Sequence, residues 1–303
     1  MADGPDYLAP ADGFLALDRD PPAAPRGKVT VIPFGLEASV TYGGGTGRGP
    51  AAILAASREV ELFDDELWTQ PADLLDIATR PEPALEGGVG AGLDLIERLV
   101  EAELGRGRFP LVLGGEHSVT IGAIRPFVRR HDELAILHFD AHADLRDGYL
   151  GEPNSHASAM RRLLDRPQVA RIVSVGVRNV SAEEAAFLDA GDGRVEIHWA
   201  REKAGWDIDR ILAPLRGRTV YLSFDLDGFD ASLMPATGTP EPGGLMWADT
   251  LPILRAAAES CRIVGADIVE LAPIPGFHAA DFLAAKLAYK ILSYVFCARA
   301  RTA

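Results

Sequence analysis

Asp140-Ala141-His142-Ala143-Asp144 places two carboxylates and an imidazole at alternate positions of one short segment. In an extended chain, residues i, i+2 and i+4 share a face, so these side chains converge on one point, as a metal site requires. Taken alone, the cluster fits equally well acids that cap a helix or bind water. It has company: Asp225-Leu226-Asp227 repeats the two-residue spacing, and Gly114-Gly115-Glu116-His117-Ser118 uses two glycines to turn the chain and present His117. If the three segments meet, the ligand set is His117, Asp140, His142, Asp144, Asp225 and Asp227. Four carboxylates packed within a few ångströms cannot all stay ionised without compensation. Two divalent cations balance them, whereas one leaves excess negative charge. Carboxylates and imidazoles without a thiolate point to Mn²⁺ or a similarly hard ion over structural zinc, with zinc still allowed.

These segments need elements to position them, and each follows a short apolar, β-branched run. Such runs recur at 29–34, 74–78, 111–113, 135–139, 172–177, 195–198, 220–224 and 263–269. Helical patterns lie between several of them, as in 90–104, where Leu93, Ile96, Val100 and Leu104 recur at spacings of three and four. Near-continuous apolar strands alternating with helices predict an α/β fold, a three-layer α/β/α sandwich around an eight-stranded, mainly parallel sheet. The three motifs would then sit at the carboxyl ends of the strands, where ligands bind in open parallel sheets. A closing helix carries Leu283, Leu287, Ile291, Leu292, Val295 and Phe296 on one stripe, with Lys286 and Lys290 outside it. Residues 1–28, rich in Pro, Ala and Asp, read as a loosely packed arm, and 29–303 as a single catalytic domain.

The 303 residues carry 30 Lys+Arg against 44 Asp+Glu, a formal charge of −14. With no basic run, that balance argues against a nucleic-acid partner and suits a small cationic substrate. No apolar stretch is long enough for a membrane span and the first residues do not resemble a signal peptide, so a cytoplasmic, soluble protein is expected. Cys261 and Cys297 read as reduced structural thiols. The glycine-rich stretch 42–50 lacks both G-x-G-x-x-G spacing and a P-loop lysine, so it reads as a rim loop leading to Pro50 at a helix start. His138 shares the parity of Asp140 but lies deeper in its strand, as a hydrogen-bonded core residue would. His131, His198 and His278 have no partner spacing.

Gly-Gly-Glu-His-Ser, Asp-Ala-His-Ala-Asp and Ser223-Phe224-Asp225-Leu226-Asp227-Gly228-Phe229-Asp230, in this order, resemble the signature of the ureohydrolases, the arginase and agmatinase family. The resemblance spans roughly residues 29–298. It implies an arginase-like fold and two Mn²⁺ per subunit. One would be held by His117, Asp140, Asp144 and Asp225, the other by His142, Asp140, Asp225 and Asp227, with Asp140 and Asp225 bridging. It implies water activation by the metals, attack on a guanidinium carbon and release of urea. It also implies that Glu270 grips the guanidinium and that His156 shuttles a proton, although Ala157 stands where arginases have Gly. Homo-oligomers, trimers or hexamers, are common among such relatives. The arginase positions that meet the α-carboxylate and α-amino groups correspond here to Arg146 and Ser181, so both contacts are lost and the chain is most like an agmatinase. Agmatine hydrolysis to putrescine is the expectation. Arg146 then needs an acid to turn toward, Asp147 or Glu152. Alternatives are a guanidino acid such as 4-guanidinobutyrate, held by Arg146 or Arg178, a one-zinc deacetylase-like amidohydrolase, and a non-catalytic homologue.

Overall fold

The computed structural model describes residues 6–298; the first five residues of the expected arm and the last five of the chain lie outside them. Eight strands form one sheet: β1 (Gly27–Phe34), β2 (Leu75–Thr79), β3 (Phe109–Gly114), β4 (Leu134–Phe139), β5 (Val169–Val175), β6 (Val195–His198), β7 (Thr219–Asp225) and β8 (Arg262–Val269). Their order is β2-β1-β3-β8-β7-β4-β5-β6, and every pairing is parallel. All eight coincide with the apolar runs read from the sequence. Alternate residues of β1 serve opposite faces. Val29 and Val31 join the core beneath the closing helix, while Ile32 and Phe34 join the core beneath the helix Gly88–Gly105. Covering both faces is what lets the strands be mostly apolar.

Strand order decides where the chemistry sits. β3, β8, β7 and β4 are neighbours, although they are far apart in the chain, so the segments leaving them share one stretch of the carboxyl edge. Just inside that edge the register aligns Ser174 of β5 with His138, His138 with Ser223, and Ser223 with Asp267 of β8. This is a row of buried polar side chains crossing four otherwise apolar strands.

Two expectations are corrected. The segment before β1 is tied down where it is described: Phe14 and Leu15 are buried in the core, and the Leu8 N–H donates to the Thr79 carbonyl of the edge strand at 2.8 Å. The closing helix, His278–Cys297, buries more than one stripe. Lys290 is only 3% exposed, with Nζ 3.0 Å from Asp64 Oδ2 and 3.2 Å from Glu66 Oε1. A buried ammonium is tolerated there because carboxylates from the 64–66 turn meet it. Cys261 and Cys297 are both buried. Among the described residues, no helix is long and apolar enough to cross a membrane.

Candidate metal centre

His117 follows β3 through a turn that only glycine can make. A Cβ on Gly115 would lie 2.1 Å from the Leu36 carbonyl oxygen. The turn drops the His117 ring among three carboxylates, with Nδ1 3.1 Å from Asp140 Oδ2, 2.9 Å from Asp144 Oδ2 and 3.3 Å from Asp225 Oδ2. His142 Nδ1 lies 3.0 Å from Asp227 Oδ2 and 3.4 Å from Asp140 Oδ1. All six sequence-predicted metal residues are therefore brought together. Asp140 stands between the imidazoles and turns a different oxygen to each.

Asp144 reaches the cluster by another route than expected. The chain does not stay extended after β4: Asp144 has φ 54°, in the left-handed region that bulky residues seldom adopt. That local turn brings its carboxylate back onto His117, where side-chain parity alone would not. Glu270, just past β8, has φ 68° and is also turned back over the site. Non-glycine residues held in this region persist where the surroundings over-determine them, and such positions cluster at functional sites.

Proton accounting tests whether cations fit. Ser223 Oγ donates its single proton to Asp267 Oδ1 at 2.7 Å, so toward His117 Nε2, 2.9 Å away, it can only accept. Nε2 therefore carries the hydrogen, and in the neutral ring Nδ1 presents a lone pair to three carboxylate oxygens. That buried Nδ1 has no hydrogen-bond partner. Lone pairs facing one another this way require a proton or a metal ion between them, and the donor set suits a hard divalent cation. Asp140, His142 and Asp227 likewise offer ligand atoms within 4.8 Å of one another.

Without a metal, protons fill the gap. Burial alone would depress His117, but Asp140, Asp144 and Asp225 outweigh it and hold the imidazole well above its ordinary pKa. His142 is raised in the same way, its burial overcome by Asp227 and Asp140. Burial would raise Asp140, but His138, His117 and His142 hold it well below the usual carboxylate range. Asp225 is pushed well up by burial and by Asp227 and Asp140. Imidazoles with raised pKa keep protons that an incoming cation must displace, so metal uptake releases protons and weakens as pH falls. Titration calorimetry from about pH 6 to about 8, in buffers of differing ionisation enthalpy, should give affinity rising with pH and net proton release. Affinity independent of pH would mean that the rings are already neutral.

Sequence reasoning found only part of the supporting row. His138, as expected, is a hydrogen-bonded core residue, with Nε2 2.8 Å from Asp140 Oδ2 and Nδ1 2.9 Å from Ser174 Oγ. Asp267, fully buried and accepting from Ser223 and Thr120, was not foreseen. The available signal was a polar residue at matching depth in each of four apolar strands.

Glu270 is buried, and its Oε1 accepts the His117 N–H at 2.7 Å. Burial pushes its carboxyl up to about 8. His156 opens a short helical turn on the other wall, half-buried, and burial lowers its pKa. Both face a cleft of about 840 Å³, including its open mouth, which also holds Arg146, Tyr149, Asn179, Thr239 and Glu241. Thr41 and Gly43, where the glycine-rich stretch begins, line its rim, and Pro50 is the second residue of the helix Gly49–Ser57, one place later than expected. Arg146 does not turn to Asp147 or Glu152. Its guanidinium lies over the Tyr149 ring, 5.3 Å from the centroid, with Nε 4.0 Å from Glu184. Asp147 pairs with Arg162 instead. Ser181 is occupied as a helix N-cap in a reciprocal capping box with Glu184. His198 sits 3.3 Å from Glu196, away from this cleft.

The family model described as "Arginase family" matches residues 27–293. The chain is similar to an N(1)-aminopropylagmatine ureohydrolase from Synechocystis, 37% identical over 88% of each chain. An agmatinase from Bacillus anthracis is 32% identical over 84% of this chain and 86% of its own. Among solved structures, the proclavaminate amidino hydrolase of Streptomyces clavuligerus matches with a TM-score of 0.85 and 27% identity, over 98% of this chain and all of that one (100%).

Proposed function

Because the chain belongs to the arginase family and is a hydrolase of guanidino C–N bonds, we propose that it is a binuclear manganese agmatinase, cleaving agmatine to putrescine and urea. His117, Asp140, Asp144 and Asp225 would hold one Mn²⁺, and His142, Asp140, Asp225 and Asp227 the other. When bound, such a pair supplies the Lewis acidity that makes water a nucleophile toward the guanidinium carbon near neutral pH. Glu270 receives the planar cation in a bidentate grip and orients that carbon. His156 moves a proton to the departing amine, which cannot leave as an anion. Under this reading the enzyme is a cytoplasmic homo-oligomer, a trimer or hexamer, of polyamine biosynthesis.

What carries the choice of an amine-tailed substrate is the state of the two arginines near the cleft. Arg178 gives its guanidinium to the carbonyls of Gly176, Asp227, Gly228, Phe229, Glu241 and Pro242. It is spent on building the loop after β7 and has nothing left for a substrate carboxylate. Arg146 lies over the Tyr149 ring with its Nε 4.0 Å from Glu184, which offsets part of its charge. Glu241, held through one oxygen by Asn179 at 2.6 Å, leaves the cleft wall negative. An ammonium suits that wall better than a carboxylate does. A second reading, N(1)-aminopropylagmatine, is favoured by the name of the Synechocystis relative, and a longer polycation suits the same wall.

The test is urea release from the Mn²⁺-loaded protein offered agmatine, N(1)-aminopropylagmatine, 4-guanidinobutyrate, guanidinopropionate and arginine. Agmatine should have the highest kcat/KM. Preference for the aminopropyl compound selects the second reading, and preference for guanidinobutyrate overturns both. No urea from any of them leaves a non-catalytic homologue, and saturation at one zinc per chain favours the deacetylase-like alternative.

A further inference from the structure

The loop after β1 and the turn after β3 meet beside His156 through groups that the reaction itself does not use. We propose that Ser39 and Glu116 form a positioning pair that sets the tautomer of His156, leaving Nε2 as the nitrogen that exchanges protons in the cleft. This rests on the reading of His156 as the proton-transfer residue and adds what makes it competent.

The assignment follows from counting hydrogens. Glu116 is fully buried, and both of its oxygens are occupied by donors. Oε2 accepts the N–H groups of Ala38 at 2.5 Å and Ser39 at 2.6 Å, while Oε1 accepts Ser39 Oγ at 2.8 Å and Ser118 Oγ at 2.5 Å. Four converging donors suit a carboxylate, which only accepts. The single hydroxyl hydrogen of Ser39 is thus engaged, and every other contact of its Oγ must be an acceptance. Two remain, and both reach His156: the backbone N–H at 3.0 Å and ring Nδ1 at 3.1 Å. Nδ1 must therefore carry hydrogen, and in the neutral ring Nε2 holds the free lone pair.

Thr41 completes the arrangement, with its Oγ1 2.7 Å from His156 Nε2. A hydroxyl can donate to the neutral nitrogen and, after rotating about its C–O bond, accept from the protonated one. His156 can therefore gain and lose a proton at Nε2 without moving its ring. The edge of Tyr149 packs against the same ring, 5.6 Å between centroids. Glu116 is the chain neighbour of His117, and its N–H is bound to the Leu36 carbonyl at 2.8 Å. One backbone turn therefore ties the orientation of His156 to that of the metal cluster.

Double-mutant analysis of the Mn²⁺-loaded enzyme with agmatine tests this. Ser39→Ala should lower kcat about 10- to 100-fold, since general acid–base transfer contributes roughly 10²–10⁴-fold and the wrong tautomer forfeits much of it. KM, metal content and thermal midpoint should stay near wild type, and Ser39→Thr, which restores a hydroxyl, should recover most of the rate. In a His156→Ala background, Ser39→Ala should cause no further loss, because residues acting through one another are non-additive. A full additional loss there would make Ser39 a merely structural residue and overturn the proposal, as would an unchanged kcat in Ser39→Ala alone. If His156→Ala itself keeps full turnover, the assignment of His156 as proton shuttle fails first, and the pair falls with it.

Discussion

Asp140→Ala should abolish urea release and metal retention together. Asp140 turns Oδ2 toward His117 and Oδ1 toward His142, so a single deletion removes an oxygen from both halves of the cluster. It also strips His138 Nε2 of its partner in a fully buried position, costing about 1–3 kcal/mol of stability. Loss of the paired cations removes the acidity that brings the pKa of bound water down toward about 7. The rate should therefore fall by at least roughly 10³-fold, to the detection limit of a urea assay. Metal analysis of the purified variant should show both positions depleted. Asp140→Asn keeps the shape and an acceptor for His138 while removing the charge, and should lose metal with less loss of stability. An alanine variant that retains two ions per chain would refute the shared position.

Glu270→Gln should leave metal content intact and cut kcat/KM. Glutamine can still accept the His117 N–H through its carbonyl oxygen, so the local packing is kept. What disappears is the negative charge opposite the guanidinium. Burial pushes the Glu270 carboxyl up to about 8, and an arriving cation stabilises the ionised form that burial disfavours. Removing one partner of a buried, hydrogen-bonded charge pair costs about 2–5 kcal/mol. That corresponds to roughly 30-fold to several-thousandfold in kcat/KM. A variant within about threefold of wild type would show that the guanidinium is gripped elsewhere, and loss of metal would show that Glu270 supports the His117 turn more than the substrate.

Much of the molecule was legible in the chain. Strands covered on both faces are mostly apolar, so all eight stood out, and the motifs at the ends of β3, β4 and β7 stood out as polar groups in regular spacing. Other features were not legible, because their partners lie on other strands or turns. Lys290 looked like an exposed residue beside an apolar stripe until the 64–66 turn folded over it. The sequence points Arg146 toward Asp147 or Glu152, or toward a substrate carboxylate, whereas in the fold its guanidinium lies over Tyr149 with Nε 4.0 Å from Glu184. Asp144 fitted an extended segment by parity, whereas the chain reaches the same cluster through a left-handed residue.

Composition and residue order by themselves determined the layered fold and the six candidate ligands, because hydrophobic periodicity and donor chemistry are properties of short stretches; the guanidino substrate class came from the motifs' resemblance to the ureohydrolases. The tertiary structure alone decided which lone pairs face one another. The order β3-β8-β7-β4 brings His117 within reach of Asp140 and Asp225 and lines up Ser174, His138, Ser223 and Asp267 beneath them. Protonation and tautomer follow from that juxtaposition, since each depends on where a neighbouring hydrogen is already committed, and such commitments are made across strands rather than along the chain.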